Sequence, residues 1–116
     1  MKKCVADLKL VAQAIDIKRD EKNDYLGKIT GSFWSDRECR VGPPYWGWSK
    51  ASINKPECIN AITAVFKKIG FQYLPRDPWG DTYMIDENEY EGSCGNKDIL
   101  LSYNCGFEFI DYYICK

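Results

Sequence analysis

Oxygen ligands are concentrated between residues 86 and 98, the one dense group of side chains suited to binding a metal ion. Asp86, Asn88 and the carbonyl of Tyr90 stand at positions 1, 3 and 5 of a calcium-loop pattern, and Asp98 could close it. The glycine of that pattern falls one place late, and a lysine stands where a bidentate glutamate belongs. The segment is therefore either a calcium site or a solvated acidic loop whose side chains satisfy their own backbone.

Catalytic chemistry has little support in this sequence. It contains no histidine, which removes the commonest general base and the usual partner of a serine or cysteine nucleophile. Glu87 and Glu89 could in principle act as an acid and a base on a glycan, but no recognisable cleft motif accompanies them. We therefore expect no enzyme and no small-molecule substrate.

The charges nearly cancel, with 16 basic and 17 acidic residues and a net charge of -1. Such a balance gives no long-range field that would steer nucleic acid or an anionic membrane toward the protein. We expect neither to be a partner of the chain as a whole, although local patches remain compatible with this balance.

Six cysteines form an even set, which in an oxidising compartment predicts three disulfides. Zinc is the competing interpretation, but no two cysteines have the spacing of a zinc-binding pair, and histidine is absent. We therefore expect an extracytoplasmic protein. Fifteen pairings are possible; the small separation of Cys94 and Cys105 favours that bond, and elimination then gives two more. The six cysteines would thus pair as Cys94–Cys105, Cys39–Cys58 and Cys4–Cys115.

Residues 4–23 have the apolar period of a long helix. Residues 24–53 lack helical or strand period and are rich in glycine, proline and aromatic residues, so we expect a long surface loop anchored by Cys39. A second helix is predicted after Asn54, with Pro56 in its first turn and Gly70 as its stop. The first helix has two apolar rows, one formed by Cys4, Leu8, Val11 and Ile15 and the other by Leu10, Ala14 and Ile17.

The long loop carries an aromatic group that either covers a small core or contacts a partner. Its members are Phe33, Trp34, Tyr45, Trp46 and Trp48.

The rest of the chain predicts a small sheet. A proline and glycine turn at residues 75–80 reverses the chain, so that Trp79 could fold over the base of the next segment. Short β-prone segments then occupy residues 82–86, 99–103 and 107–114. The fold class is α+β in a single domain, a long N-terminal helix packed on a small antiparallel sheet and stapled by disulfides. Its parts are a helical stem (1–23), a loop with a short helix (24–74) and a sheet region (75–116).

Two motifs resemble the type IV pilin-like proteins, in particular the major pseudopilin of type II secretion systems. The first is D-P-W-G-x-x-Y before the first strand, filled by Asp77, Pro78, Trp79, Gly80 and Tyr83. The second is S-Y-x-x-G, filled by Ser102, Tyr103 and Gly106. The stretch A-D-L-K-L-V-A-Q-A-I-D at residues 6–16 is similar to the pilin stem.

The resemblance implies a pilin-like fold and a non-enzymatic subunit of a filament, either a type IV pilus or a secretion pseudopilus. It implies a leader and a hydrophobic helix upstream of Lys2, and thus a precursor anchored in the membrane by that segment alone. The implied partners are other pilin or pseudopilin subunits and the assembly machinery, and calcium is implied near the sheet. Trp79 and its turn would be a hinge between the helical half and the sheet.

Neighbouring stems in such a filament would meet along the first helix, and we expect Val5, Leu8, Val11 and Ile15 to form that contact. The alternative function is a secreted or surface-anchored adhesion module, such as a minor pilin that contacts DNA or surfaces.

Overall fold

The computed structural model describes residues 2–32, 34–87 and 98–110. It confirms an α+β protein with a long N-terminal helix and a small antiparallel sheet. The described elements in chain order are α1 (Lys2–Lys22), α2 (Leu26–Thr30), 3₁₀ turns at Arg37–Cys39 and Ser52–Asn54, α3 (Pro56–Lys68), β1 (Tyr83–Asp86), β2 (Asp98–Ser102) and β3 (Gly106–Ile110).

Helix α1 packs against β2 and β3 through one row of side chains. Residues spaced three or four positions apart lie on the same side of a helix, which places the predicted first row in the core. The row ends at Arg19, whose guanidinium lies 3.8 Å from the carboxylate of Asp98 in β2, with both side chains fully buried. The row consists of Cys4, Leu8, Val11, Ile15 and Arg19.

No helix among the described residues has the length and apolar content needed to cross a membrane.

The sheet is a meander in the order β1-β2-β3, with Tyr83 opposite Ser102 and Asp98 opposite Ile110. Partners across an antiparallel ladder share a face, and successive residues alternate between faces. The Tyr83 hydroxyl donates to Asp7 of α1 at 2.8 Å, so the face that holds Tyr83 and Ser102 is the one that α1 covers.

Residues 24–53 are not the structureless loop that the sequence predicts. They contain α2, which ends where Gly31 takes the left-handed conformation at φ 76°, and both 3₁₀ turns. Asp36 is fully buried, and its Oδ2 accepts hydrogen bonds from Arg40 at 3.2 Å and from the Trp48 indole at 3.1 Å. Contacts between polar side chains, rather than an apolar period, hold this segment, which is why no periodic pattern appears in the sequence.

Helix α3 begins at Pro56, as predicted, and the chain leaves it through Gly70, which has a φ of 103°. The disulfide between Cys39 and Cys58 ties the first 3₁₀ turn to this helix, so the predicted pairing and the predicted anchor of the loop are both confirmed.

The second described disulfide joins Cys4 to Cys105, which makes the predicted Cys94–Cys105 and Cys4–Cys115 bonds wrong. The first turn of α1 lies on the turn between β2 and β3, and the Ser102 hydroxyl lies 3.3 Å from the Cys4 sulfur. Separation along the chain favoured Cys94, but the packing of the helix on the sheet selects the partner. Cys94 and Cys115 lie outside the described residues.

Candidate assembly face and the turns beside it

Helix α1 carries exposed apolar residues on the side opposite its buried row. With 3.6 residues per turn, positions 6, 10 and 17 fall on the side that faces away from the buried row. Leu10 is 59% exposed and Ile17 is 64% exposed. Ala6 is exposed as well. We call Ala6, Leu10 and Ile17 the outer row. It gives the helix a second contact surface that the described part of its own domain leaves exposed.

The predicted assembly residues do not form this surface. Leu8, Val11 and Ile15 are at most 2% exposed and belong to the core, while Val5 is partly exposed on the flank of the helix. The prediction was wrong for the three buried residues because the sequence shows two apolar rows without showing which one the sheet covers. The packing on β2 and β3 places the buried row of α1, here called the inner row, in the fold and leaves the outer row exposed.

A cleft of about 150 Å³ lies next to the outer row. Leu10 and Val11 form one wall, and Phe71, Tyr73 and Pro75 form the other. Tyr73 is largely exposed, so the apolar surface continues from α1 onto the segment that leads to the D-P-W-G turn.

The D-P-W-G turn is built around the buried carboxylate of Asp77. Its Oδ1 accepts the backbone N–H groups of Trp79 at 2.9 Å and Asp81 at 3.0 Å. Its Oδ2 accepts the Ser102 hydroxyl at 3.2 Å and the Asn104 amide at 2.6 Å. One side chain therefore closes the turn before β1 and binds it to the turn between β2 and β3.

Asp81 extends this network toward the long loop. Its carboxylate accepts the amide of Asn104 at 2.8 Å and that of Asn54 at 3.1 Å, and it forms an ion pair with Lys50. Burial alone would raise the pKa of Asp81, but the hydrogen bonds from Lys50, Asn104 and Asn54 outweigh it and hold the pKa below its usual value. The aspartate is therefore held ionised among its donors.

Trp79 does not fold over the sheet, because its side chain is 52% exposed at the tip of the turn. The other large member of the motif, Tyr83, is buried on β1. Burial raises the pKa of Tyr83, and the hydrogen bond to the Asp7 carboxylate raises it further. Of the two aromatic residues of the motif, Tyr83 therefore holds α1 to the sheet, whereas Trp79 faces solvent.

The Asp7 carboxylate joins the helix surface to this contact. It accepts Lys3 Nζ at 2.7 Å as well as the Tyr83 hydroxyl. Burial acts to raise the pKa of Asp7, and the hydrogen bonds from Lys3 and Tyr83 overcome that effect and lower it.

The described ligands of the predicted calcium site are not brought together. Asp86 pairs with Ile99 across the ladder, so Asp98, one residue away, points to the opposite face of the sheet. Asp86 lies 3.2 Å from Arg40, whereas Asp98 faces Arg19 on the α1 side. Asn88 and Tyr90 lie outside the described residues, and among the described ones no group of three metal-binding side chains is present. Calcium binding stays a prediction, and the strand register gives it no support.

The aromatic residues of the long loop are organised by two arginines. Trp34 and Trp46 lie with ring centroids 5.2 Å apart, and Arg40 lies 4.2 Å above the Trp48 ring. Arg37 lies just under 6 Å from both Trp34 and Trp46. The three tryptophans are partly buried, and Trp48 packs against the core. Phe33 lies outside the described residues, and Tyr45 is 86% exposed.

Glu87, one of the two carboxylates considered for acid–base work, is buried and serves the fold. Its Oε1 accepts the Ser35 N–H at 2.9 Å, and the hydroxyls of Ser35 and Thr30 contact Oε2. Burial raises the pKa of Glu87, while these hydrogen bonds act in the opposite direction. Its companion Glu89 lies outside the described residues.

Sequence reasoning did not find the Asp77, Asp81 and Asn104 network. A usable signal was present, because an aspartate before a Pro-x-Gly segment is a favoured first residue of a turn that its own side chain caps.

Comparisons with protein-family models, curated proteins and solved structures found no match to this chain.

Proposed function

We propose that the chain is a non-enzymatic subunit of a type IV pilus or a type II secretion pseudopilus, and that copies assemble through α1. One observation carries the proposal: α1 has an inner apolar row that its own sheet covers and an outer apolar row that remains exposed. A helix that serves one small domain needs only one apolar side. The outer row is therefore available to helices of neighbouring copies.

The way α1 is held supports the same function. The Cys4–Cys105 disulfide and the hydrogen bond from Tyr83 to Asp7 both fix the helix to the sheet. A pull along the helix is thereby passed to the sheet through a covalent bond. That property suits a subunit that carries load in a filament. The proposed partners are copies of this chain or related pilins, together with the assembly machinery outside the cytoplasm.

The test is assembly of the full-length natural protein in its own cells, with Leu10→Glu or Ile17→Glu in the outer row. We expect shed filaments, counted by electron microscopy, to disappear. The isolated chain should keep its melting temperature, because surface substitutions change stability by less than about 0.5 kcal/mol. Tyr45→Glu, at an even more exposed aromatic position outside α1, is the matched control and should leave filaments intact.

Leu8→Glu separates assembly from folding. It buries a carboxylate in the core and should unfold the isolated chain, whereas the outer-row variants should not. Normal filaments from both outer-row variants would refute assembly through α1.

A further inference from the structure

Three of the exposed aromatic side chains gather at one end of the molecule. Trp79 and Tyr103 occupy the two turns that Asn104 joins, through its 2.6 Å hydrogen bond to Asp77. Tyr73 lies on the segment that enters the first of these turns, and Arg76 on that segment donates to the Gly80 carbonyl at 3.0 Å. The start of α1 is held at the same end by the Cys4–Cys105 bond.

The same end carries exposed positive charge. Lys2 and Lys3 in the first turn of α1 and Arg76 beside the D-P-W-G turn are exposed. Lys3 and Arg76 line one cleft together with Tyr73. We call this surface the basic aromatic end, and its members are Lys2, Lys3, Tyr73, Arg76, Trp79 and Tyr103.

Among the described residues, the carboxylates at this end are either buried or paired with a basic side chain. Asp77 and Asp81 are buried and hydrogen-bonded within the turns, and Lys50 is paired with Asp81. Asp7 is bound by Lys3 and Tyr83. Asp7 therefore offsets the charge of Lys3, and among the described residues Lys2 and Arg76 make the outward charge of the basic aromatic end positive, although the chain as a whole has a net charge of -1.

We propose that the basic aromatic end docks on the surface of an anionic lipid bilayer. Tryptophan and tyrosine favour the boundary between headgroups and acyl chains, where an apolar ring can enter while its polar atom stays hydrated. Lysine and arginine are attracted to anionic headgroups, and their stems can lie along the apolar layer. Charge complementarity favours the lipid surface over a second copy, which would present the same positive end. This docking needs no membrane-spanning segment and does not depend on filament assembly.

The test is co-sedimentation of the isolated chain with vesicles at low ionic strength. Vesicles that contain phosphatidylglycerol should bind it, vesicles of pure phosphatidylcholine should bind it much less, and added salt should release it. Arg76→Gln should lower the partition coefficient about fivefold, as expected for one basic residue near such a surface. Lys67→Gln, an exposed lysine on α3, is the matched charge control and should change nothing.

Aromatic variants test the second half of the surface. Trp79→Ala and Tyr103→Ala should each weaken binding to phosphatidylglycerol vesicles, whereas Tyr45→Ala in the long loop should not. Using two aromatic variants guards against a loss of folding in one, which the melting temperature would reveal.

Two results would overturn the proposal. One is binding that ignores lipid charge, or that none of the Arg76, Trp79 and Tyr103 variants weakens. The other is a change in self-association without vesicles, with vesicle binding unaltered, which would assign this end to a second copy. The two proposals are separated at Ile17, which is not part of this end, whereas Leu10 lines the same cleft as Lys3 and Arg76.

Discussion

Asp77 links the two turns that meet beside the start of α1. Its carboxylate accepts two backbone N–H groups of its own turn and two side-chain donors, from Ser102 at the end of β2 and from Asn104 in the turn that follows. Gly80, at φ 86°, lets the chain reverse between Trp79 and Asp81, whose N–H groups both reach Asp77. The resemblance predicts a hinge at this turn. The geometry is instead that of a fixed joint, because the buried Asp77 carboxylate accepts four hydrogen bonds.

Replacing Asp77 with alanine should destabilise the protein by about 3 kcal/mol, because hydrogen bonds to a charged group are lost and their buried donors remain. Asp77→Asn should lose less, since an amide oxygen still accepts the N–H groups, although its NH₂ group then faces the amide of Asn104. Urea unfolding measures both changes. Glu38→Ala, at an exposed position of the long loop, is the control and should stay within about 0.5 kcal/mol of the parent protein. A loss no larger for Asp77→Ala than for Glu38→Ala would contradict the joint.

Glu87 gives a pH dependence whose sign follows from its burial. The pKa of Glu87 is raised in the folded state, so between the ordinary glutamate pKa and that raised value the folded protein holds a proton that the unfolded chain has released. The stability contributed by this proton is complete below the unfolded pKa and is lost as the pH rises through the folded pKa. Glu87→Gln should remove that decline.

Unfolding free energies measured across this pH window should fall more steeply with pH for the parent protein than for Glu87→Gln. Asp36, whose pKa burial also raises, contributes in the same direction and is present in both proteins. The difference between the two curves therefore reports on Glu87. Lys68, whose ammonium donates to the Thr30 carbonyl at 2.8 Å, is also present in both proteins. Glu38→Gln, at an exposed position of the same loop, should reproduce the parent curve. Parallel curves for Glu87→Gln and the parent would show that Glu87 does not titrate differently on folding.

At the scale of elements, periodicity predicted what local sequence controls. The apolar spacing in residues 4–23 and the pair Pro56 and Gly70 gave α1 and α3, and β-branched and aromatic runs gave the strands to within a few residues. The short helix and 3₁₀ turns of residues 24–53 were missed, because side chains such as Asp36 and Arg40, rather than an apolar period, hold that segment.

Choices between equivalent patterns could not be made from the sequence. Two apolar rows on α1 fit a core equally well until the sheet is placed, and the predicted assembly set followed the wrong row at Leu8, Val11 and Ile15. The calcium prediction failed to anticipate the register in the same way. The calcium-loop pattern requires the Asp86 and Asp98 side chains to lie side by side. Asp86 pairs with Ile99, however, and a shift of one residue along an antiparallel ladder puts the Asp98 side chain on the other face of the sheet.

At the scale of the whole molecule, two disulfides connect parts that are distant along the chain. Cys39–Cys58 closes a separation of 19 residues within the loop and α3, and Cys4–Cys105 closes a separation of 101 residues between the first helix and the sheet. Disulfides persist mainly in oxidising compartments, which is why the proposed location is outside the cytoplasm.

The Cys4–Cys105 bond should stabilise the protein more than the Cys39–Cys58 bond. In the chain-entropy description, separations of 101 and 19 residues correspond to about 4.7 and about 3.2 kcal/mol. Paired alanine substitutions at each bond, compared by urea unfolding, should show the larger loss when the Cys4–Cys105 bond is removed, and each double variant is the matched control for the other. An equal or smaller loss at Cys4–Cys105 would mean that other contacts, such as the hydrogen bond from the Tyr83 hydroxyl to Asp7, already hold helix and sheet together in the unbridged chain. In that case the disulfide would matter for resisting a pull along α1, and less for the equilibrium between folded and unfolded protein.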